Sequence, residues 1–329
     1  MNGFNDIYGN KFIKNSLLNS IKFNKVSHSY IFDGEAGVGK KMLADAFAKK
    51  LQCEADGEDG CLCISCRVFD LKNHPDIIYV SQDKKSSIGV DDIRDKINAN
   101  INIKPYRYRY KVFIIDKADT MTISAQNALL KTIEEPPSYG VFILLSRNMS
   151  LFLPTILSRC VAFKIKPLTN EIIRAYLQNH DNKSEIESFL VAYSKGSIGN
   201  LIKIKEDSEF IELREKIITA ICLAENDNIA KMIEISKQIE ELKDFFLDVL
   251  DILYIWYRDV LIFKVSNRND LIINLDKLLE IKLFSEKFNI DELLRAGRAI
   301  LNAKIFTESN ANFQMNFNNM LFNIISCFE

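Results

Sequence analysis

Gly34-Glu35-Ala36-Gly37-Val38-Gly39-Lys40-Lys41 has the spacing G-x-x-x-x-G-K. In such a segment the glycines let backbone N–H groups turn inward, and a following helix N-terminus adds positive potential. The lysine then reaches the β- and γ-phosphates of a nucleotide. The apolar run Tyr30–Phe32 precedes the segment and the helical Met42–Leu51 follows it, which is the context that a phosphate cradle needs. The alternative is a glycine turn that merely opens a helix. The position after Lys40 normally carries a Ser or Thr hydroxyl for Mg²⁺. Here it is Lys41, which cannot ligate a metal while protonated. Gly34, Gly37, Gly39, Lys40 and Lys41 therefore form a cradle without its metal handle.

Val112-Phe113-Ile114-Ile115-Asp116 is an apolar strand that ends in a carboxylate, the form of a Walker B strand. An ATPase of that kind usually places Glu next, to orient or deprotonate the attacking water. This sequence has Lys117, then Ala118 and Asp119. A lysine cannot polarise water for attack, and Asp119 lies too far along to take over. Any strand can end in Asp; beside the cradle, Asp116 reads as one carboxylate of a degenerate nucleotide site.

Cys53, Cys61, Cys63 and Cys66 are four thiols within fourteen residues, spaced C-x₇-C-x-C-x₂-C. In a cytosolic protein such a cluster most often binds Zn²⁺ as Cys₄. Four protein ligands leave no open position for water, so the expected role is structural. The alternative is four reduced thiols without metal. The tight C-x-C step also allows one thiol to be displaced, with His74 as a substitute ligand. Cys160, Cys222 and Cys327 are isolated and read as small apolar residues. Tyr106-Arg107-Tyr108-Arg109-Tyr110-Lys111 interleaves aromatic and basic residues, a pattern able to stack on and neutralise nucleic acid. Its place just before an apolar strand favours a connecting loop. His28 and His180 have no identifiable partner.

These residues need elements to hold them. Short apolar runs at Tyr30–Phe32, Ile77–Val80, Val112–Asp116, Val141–Ser146 and Val161–Ile165 alternate with helical stretches. Continuous apolar strands between helices predict a parallel sheet buried on both faces. Ile13, Leu17 and Ile21 predict an amphipathic helix ahead of it. Strand signals stop after Pro167. Thr169–Gln178 and Ser184–Ser194 read as short helices, followed by the turn Lys195–Gly199 and a third helix. Beyond Asp207 the sequence is helical, as at Phe210–Ala224 and Phe245–Val265, with breaks expected at Asn226–Asn228 and Asn267–Asp270. Phe317, Met320, Leu321 and Ile324 form a stripe that must face a core or a partner.

At 329 residues and 47% hydrophobic, the chain is long enough for two or three domains with real cores. A formal charge of −1 argues against a free-standing DNA- or RNA-binding module, whose affinity comes mostly from neutralising phosphates. No apolar run approaches the ~18–20 residues that span a bilayer. The segment MNGFNDIYGN has no charged-then-apolar signal pattern. A cytoplasmic protein with no membrane contact is expected.

The order of motifs places His28–Gly34, the P-loop and the cysteine cluster before His74-Pro75-Asp76 and the Walker B strand. Gln126–Pro137 (QNALLKTIEEPP) and Leu157-Ser158-Arg159-Cys160 then follow. That order closely resembles bacterial clamp-loader AAA+ subunits. The resemblance covers the whole chain; it is most specific over residues 28–166 and weaker at Trp256-Tyr257-Arg258-Asp259 and Ser309-Asn310-Ala311-Asn312.

The resemblance implies a AAA+ P-loop-type α/β domain over 1–166 with a zinc module inserted at 53–66. A small helical lid would span 167–207, and an all-α oligomerisation collar 208–329. In the family the arginine of Ser-Arg-Cys reaches into the neighbouring subunit's ATP site, which makes Arg159 the arginine finger in trans. Sensor 1 would fall at Ser146–Asn148 and sensor 2 at Asn200, which is neutral. Lys41, Lys117 and Asn200 together imply a subunit that does not hydrolyse ATP and that holds nucleotide, if at all, in a degenerate site. The family zinc spacing is C-x₈-C-x₂-C-x₂-C, one residue longer at two places than here. The implied partners are the gamma/tau and delta subunits of DNA polymerase III and, through the complex, the sliding clamp and primer-template DNA. The implied role is ATPase-deficient assembly during clamp loading, with the isolated chain monomeric. The alternative is an active gamma/tau-like ATPase of the same loader.

Overall fold

Each of the five apolar runs forms a strand in the computed structural model: β1 Ser29–Asp33, β2 Ile77–Val80, β3 Lys111–Ile115, β4 Gly140–Ser146 and β5 Val161–Lys164. The structure describes residues 3–55, 60–81, 87–180, 186–224, 245–309 and 312–325. The strands pair in parallel in the order β2-β3-β4-β1-β5. Side chains alternate across a strand, and the core follows that alternation. Tyr30, Phe32, Val112, Ile114, Val141, Ile143 and Leu145 face one apolar cluster. Ile31, Phe113, Ile115, Phe142 and Leu144 face a second.

Helices cover both faces. On the first are α1 (Lys11–Lys22) and α2 (Lys40–Gln52), which bury Ile13 and Leu17, and Leu43, Phe47 and Leu51, at four-residue spacing. The short α3 (Ile64–Asp70) follows the cysteine-rich turn. On the second face α4 (Ile123–Glu134) buries Ala125, Leu129 and Ile133. Thr122 caps α4 by accepting from the Ala125 N–H at 3.1 Å, and the chain leaves helical geometry at Glu135, ahead of Pro136. This is the expected α/β layering, a parallel sheet with helices on both faces.

The chain divides into two compact units, Met1–Ala175 with Lys195–Gly199, and Tyr176–Ser194 with Asn200–Glu329. The span 167–207 contributes to both. It holds α5 (Asn170–His180), α6 (Glu187–Tyr193) and α7 (Ile198–Glu206).

Among the described residues the second unit has no strand. Its further helices are α8 (Ser208–Ala224), α9 (Phe246–Ser266), α10 (Leu278–Lys287), α11 (Ile290–Glu308) and α12 (Phe313–Ile325). Trp256 on α9 is fully buried, edge-on to Phe284 at 5.6 Å. The predicted stripe of α12 packs into this core, with Phe317, Met320 and Ile324 buried and Leu321 against it. The break after α9 falls at Asn267, in left-handed conformation (φ 51°). The expected break at Asn226–Asn228, the pair Asn310-Ala311 and Cys327 lie outside the described residues.

Arg214 on α8 is completely buried. Its guanidinium donates to both oxygens of Asp276 (2.9 and 2.8 Å) and to Asn274 Oδ1 (2.8 Å). Asp259, in the Trp256–Asp259 motif, accepts from the backbone N–H groups of Ile273 and Asn274 and from Arg258. Both groups tie helices to the 271–276 connection, so this motif is structural.

Candidate functional site

The cradle sits where β1 hands over to α2. Gly34 is glycine for lack of space: a Cβ there would lie 2.6 Å from the carbonyl oxygen of Ile165. Ile165 is brought so close because its N–H bonds to the carbonyl of Asp33 at the end of β1 (2.7 Å). Gly37 (φ 76°) and Gly39 (φ 96°) are glycine for conformation, since both occupy the left-handed region. Ser197, in the turn Lys195–Gly199, donates its hydroxyl to the Gly37 carbonyl at 2.7 Å. The loop is thus fixed from two sides and opens onto the α2 N-terminus.

Lys40 folds back over the loop and donates to the carbonyls of Gly34 (2.5 Å) and Glu35 (2.7 Å). Burial, and then the nearby Arg147 charge, lower its pKa from the ordinary lysine value, against the pull of Asp119, Asp33 and Asp116. Lys41 is exposed and lies over the Tyr79 ring at 5.8 Å. It has no hydroxyl to offer a metal, and its ammonium is occupied with an aromatic face.

Asp116 follows β3 directly, and its Oδ1 accepts from the Lys117 N–H at 3.0 Å. Lys117 is exposed and in left-handed conformation (φ 50°). Asp119 accepts from the Arg147 N–H at 3.2 Å, and its other oxygen is buried with no hydrogen-bond partner among the described residues. At the expected sensor 1 position, Ser146 Oγ accepts from Asn148 N–H and Asn148 Oδ1 from Ser150, so both shape the local turn. Asn200 lies in the first turn of α7 and belongs to the second unit.

Arg159 follows the short helix Pro154–Leu157 and is exposed. Its guanidinium donates to the Thr155 carbonyl (3.0 Å) and Ser158 Oγ (3.2 Å), and pairs with Glu134 at 3.0 Å. Glu134, the last residue of α4, is a partner with no mark of its own in the sequence. Its only sequence signal is its place in Gln126–Pro137.

The four thiols converge. The Sγ atoms of Cys53, Cys61, Cys63 and Cys66 all lie within 4.8 Å of one another, and Cys53 and Cys63 are 3.9 Å apart. A tetrahedral Zn²⁺ with ~2.3 Å bonds would set its thiolates about 3.8 Å apart, so the cluster has the dimensions to hold a metal ion. Cys63 caps α3, its sulfur accepting from the Cys66 N–H. Burial alone would raise the Cys63 thiol, but hydrogen bonds from the Glu54 and Cys66 backbone and from the neighbouring thiols bring it down to about 7. Burial and then the adjacent sulfurs push Cys66 up. The neighbouring thiols thus favour one thiolate, at Cys63, and oppose a second, at Cys66, a conflict that a bound cation removes.

His74, the substitute ligand that the tight C-x-C step allows, has both ring nitrogens engaged by other groups. Its Nδ1 accepts from the Asp76 N–H and its Nε2 meets Ser65 Oγ, both at 3.2 Å, while the ring packs on Tyr108. The four thiols converge without it.

Two family models match the chain. One, described as DNA polymerase III, delta subunit, covers residues 9–169; the other, described as DNA polymerase III, delta subunit, C terminal, covers 208–326. DNA polymerase III subunit delta' of Bacillus subtilis (strain 168) is 29% identical over 318 residues, covering 91% of this chain and 91% of its own. DNA polymerase III subunit tau of the same organism is 39% identical over 172 residues, 52% of this chain and 30% of its own. The chain spans about three tenths of the length of the tau relatives that it matches. A solved structure of a gamma subunit-related protein from Thermotoga maritima is 16% identical with a TM-score of 0.47, over 94% of this chain and 99% of its own.

Proposed function

Because the chain belongs to the DNA polymerase III delta-subunit family, we propose that it is the delta-prime subunit of a bacterial clamp loader. It acts there as an assembly subunit that does not itself hydrolyse ATP. Its partners are the gamma/tau and delta subunits, and through them the sliding clamp and primer-template DNA in the cytoplasm. Residues 1–166 serve as the AAA+ domain, 167–207 as the lid and 208–329 as the collar. The cluster Cys53, Cys61, Cys63 and Cys66 holds a structural Zn²⁺, which cross-links the 53–66 segment and takes no part in chemistry.

One contrast carries this reading: an exposed Arg159 on a chain whose own cradle has lysines at both positions where chemistry is needed. Lys41 offers no metal-binding hydroxyl and Lys117 no carboxylate, so nothing here holds Mg²⁺ from the loop or activates water. Arg159 instead serves a neighbour. A planar cation supplied in trans where γ-phosphate charge develops raises hydrolysis by roughly 10³–10⁵. Contact between subunits and hydrolysis are thereby linked.

The test is ATP hydrolysis by the partner ATPase subunit, with wild-type protein or Arg159→Ala added and this protein alone as control. The expected result is no turnover alone, stimulation by wild type, and loss of stimulation with Arg159→Ala. Turnover by the isolated protein that Arg159→Ala leaves unchanged would replace this reading with the gamma/tau-like ATPase.

A further inference from the structure

A connecting loop before a strand has no need of alternating tyrosines and arginines, yet residues 106–110 carry both. Residues 107–110 form one wall of a cleft of about 880 Å³ in the first unit, opposite the C-terminal ends of α1 and α2, and Tyr106 immediately precedes that wall in the chain. Four cations line it, Lys22, Lys50, Arg107 and Arg109, against the single carboxylate of Glu54. On a chain of net charge −1 this is a local concentration of positive potential.

Part of it has an ordinary cause. Lys22 and Lys50 sit in the last turns of α1 and α2, where cations offset exposed carbonyls. Arg107 and Arg109 have no helix end to serve. Arg109 donates to the neutral Asn24 Oδ1 at 2.8 Å, so it is oriented without losing its charge. Its guanidinium lies 5.2 Å from the centre of the Tyr110 ring. Arg107 is more than half exposed and meets Glu54 through Nε at 3.3 Å. Beside them Tyr106 is 86% exposed, a large aromatic face held in solvent.

We propose that this cleft is a binding site for single-stranded nucleic acid. Arg107 and Arg109, with Lys22 and Lys50 behind them, hold the phosphates. Tyr106 offers a face on which a base stacks, a combination that recurs where single strands are bound without sequence preference. An acidic peptide would satisfy the cations but gain nothing from an exposed aromatic face, so the strand is the better occupant. The site is separate from the Arg159 surface and does not depend on it.

The experiment uses the full chain with its metal and measures fluorescence anisotropy of labelled (dT)₂₀ across a salt series. A (rU)₂₀ arm separates DNA from RNA, and a labelled glutamate-rich 20-residue peptide tests the competing occupant. The expected result is salt-dependent oligonucleotide binding, of DNA or of RNA, and weaker peptide binding. Arg107→Gln with Arg109→Gln should reduce the slope of log K against log salt by about 1.4, at ~0.7 per phosphate contact on a single strand. Tyr106→Ala should weaken binding about fivefold or more, since stacking is worth ~1–3 kcal/mol per base. All three side chains are exposed, and thermal melting checks that the variants fold. No oligonucleotide binding at low salt, binding that neither variant changes, or peptide binding as tight as the strand would each overturn the proposal.

Discussion

The phosphate cradle and the cysteine cluster lie at opposite ends of α2, and they keep their geometry in opposite ways. The cradle is a property of the backbone. Gly34 is fixed by the Ile165 carbonyl and Gly37 by the Ser197 hydroxyl, while Gly39 is in left-handed conformation. None of this involves the side chains at 41 and 117, so the loop keeps its shape whatever stands there. The cluster is a property of side chains. Its four sulfurs, drawn from positions 53, 61, 63 and 66, converge within 4.8 Å of one another. A nucleotide fold can therefore outlast its chemistry, whereas a metal site has no shape without its ligands.

The largest expected effect breaks the cluster. Structural Zn²⁺ sites carry roughly 10–16 kcal/mol of apparent binding free energy in small domains. Cys53→Ser with Cys66→Ser should take metal content, measured by elemental analysis, from about one Zn²⁺ per chain to near none. It should also expose the 53–70 region to proteolysis while the sheet stays protected. Wild-type protein purified under reducing conditions without metal, yet equally protected, would leave four reduced thiols as the better reading.

Next comes the cradle. Gly34→Ala drives a methyl into a backbone carbonyl that cannot move without disturbing β1, and overpacking of that kind costs about 1–3 kcal/mol. Gly39→Ala meets no atom within 4 Å and pays only for its φ of 96°, about 1–2 kcal/mol. Urea unfolding should rank Gly34→Ala below Gly39→Ala, and both below wild type. The reverse order would mean that the loop is held by conformation alone.

What could be read in advance follows from the range of each interaction. The strands were legible because burial on both faces leaves a continuous apolar run, and the cluster because its ligands fall within one short segment. Pairings across the fold have no such local mark. Glu134 and Arg159 meet from separate elements, and the constraint on Gly34 comes from Ile165, far along the chain. Arg214 is the sharpest case: arginine is ordinarily a surface residue, and only Asn274 and Asp276, some sixty residues later, make its complete burial possible. Asp259 stands in a recognisable motif, but its role in holding the 273–274 backbone depends on where that connection runs.

The smallest expected effect sharpens the boundary of the metal site. His74 lies beside the cluster, with both ring nitrogens engaged by Ser65 and Asp76. Burial lowers its pKa below the ordinary 6.5, with Asp76 partly opposing. Below that value the unfolded chain takes up a proton that the folded ring resists, so stability falls as pH drops through the mid-6 range and is fully present above it. In metal-loaded protein the urea midpoint should decline from about pH 7 to pH 5, and comparison with a His74 variant separates this titration from acid release of metal, which both proteins share. His74→Gln should flatten that decline while leaving the metal content of the loaded protein unchanged. A variant that instead lost its metal would make His74 a ligand, and the cluster would no longer be a site of thiols alone.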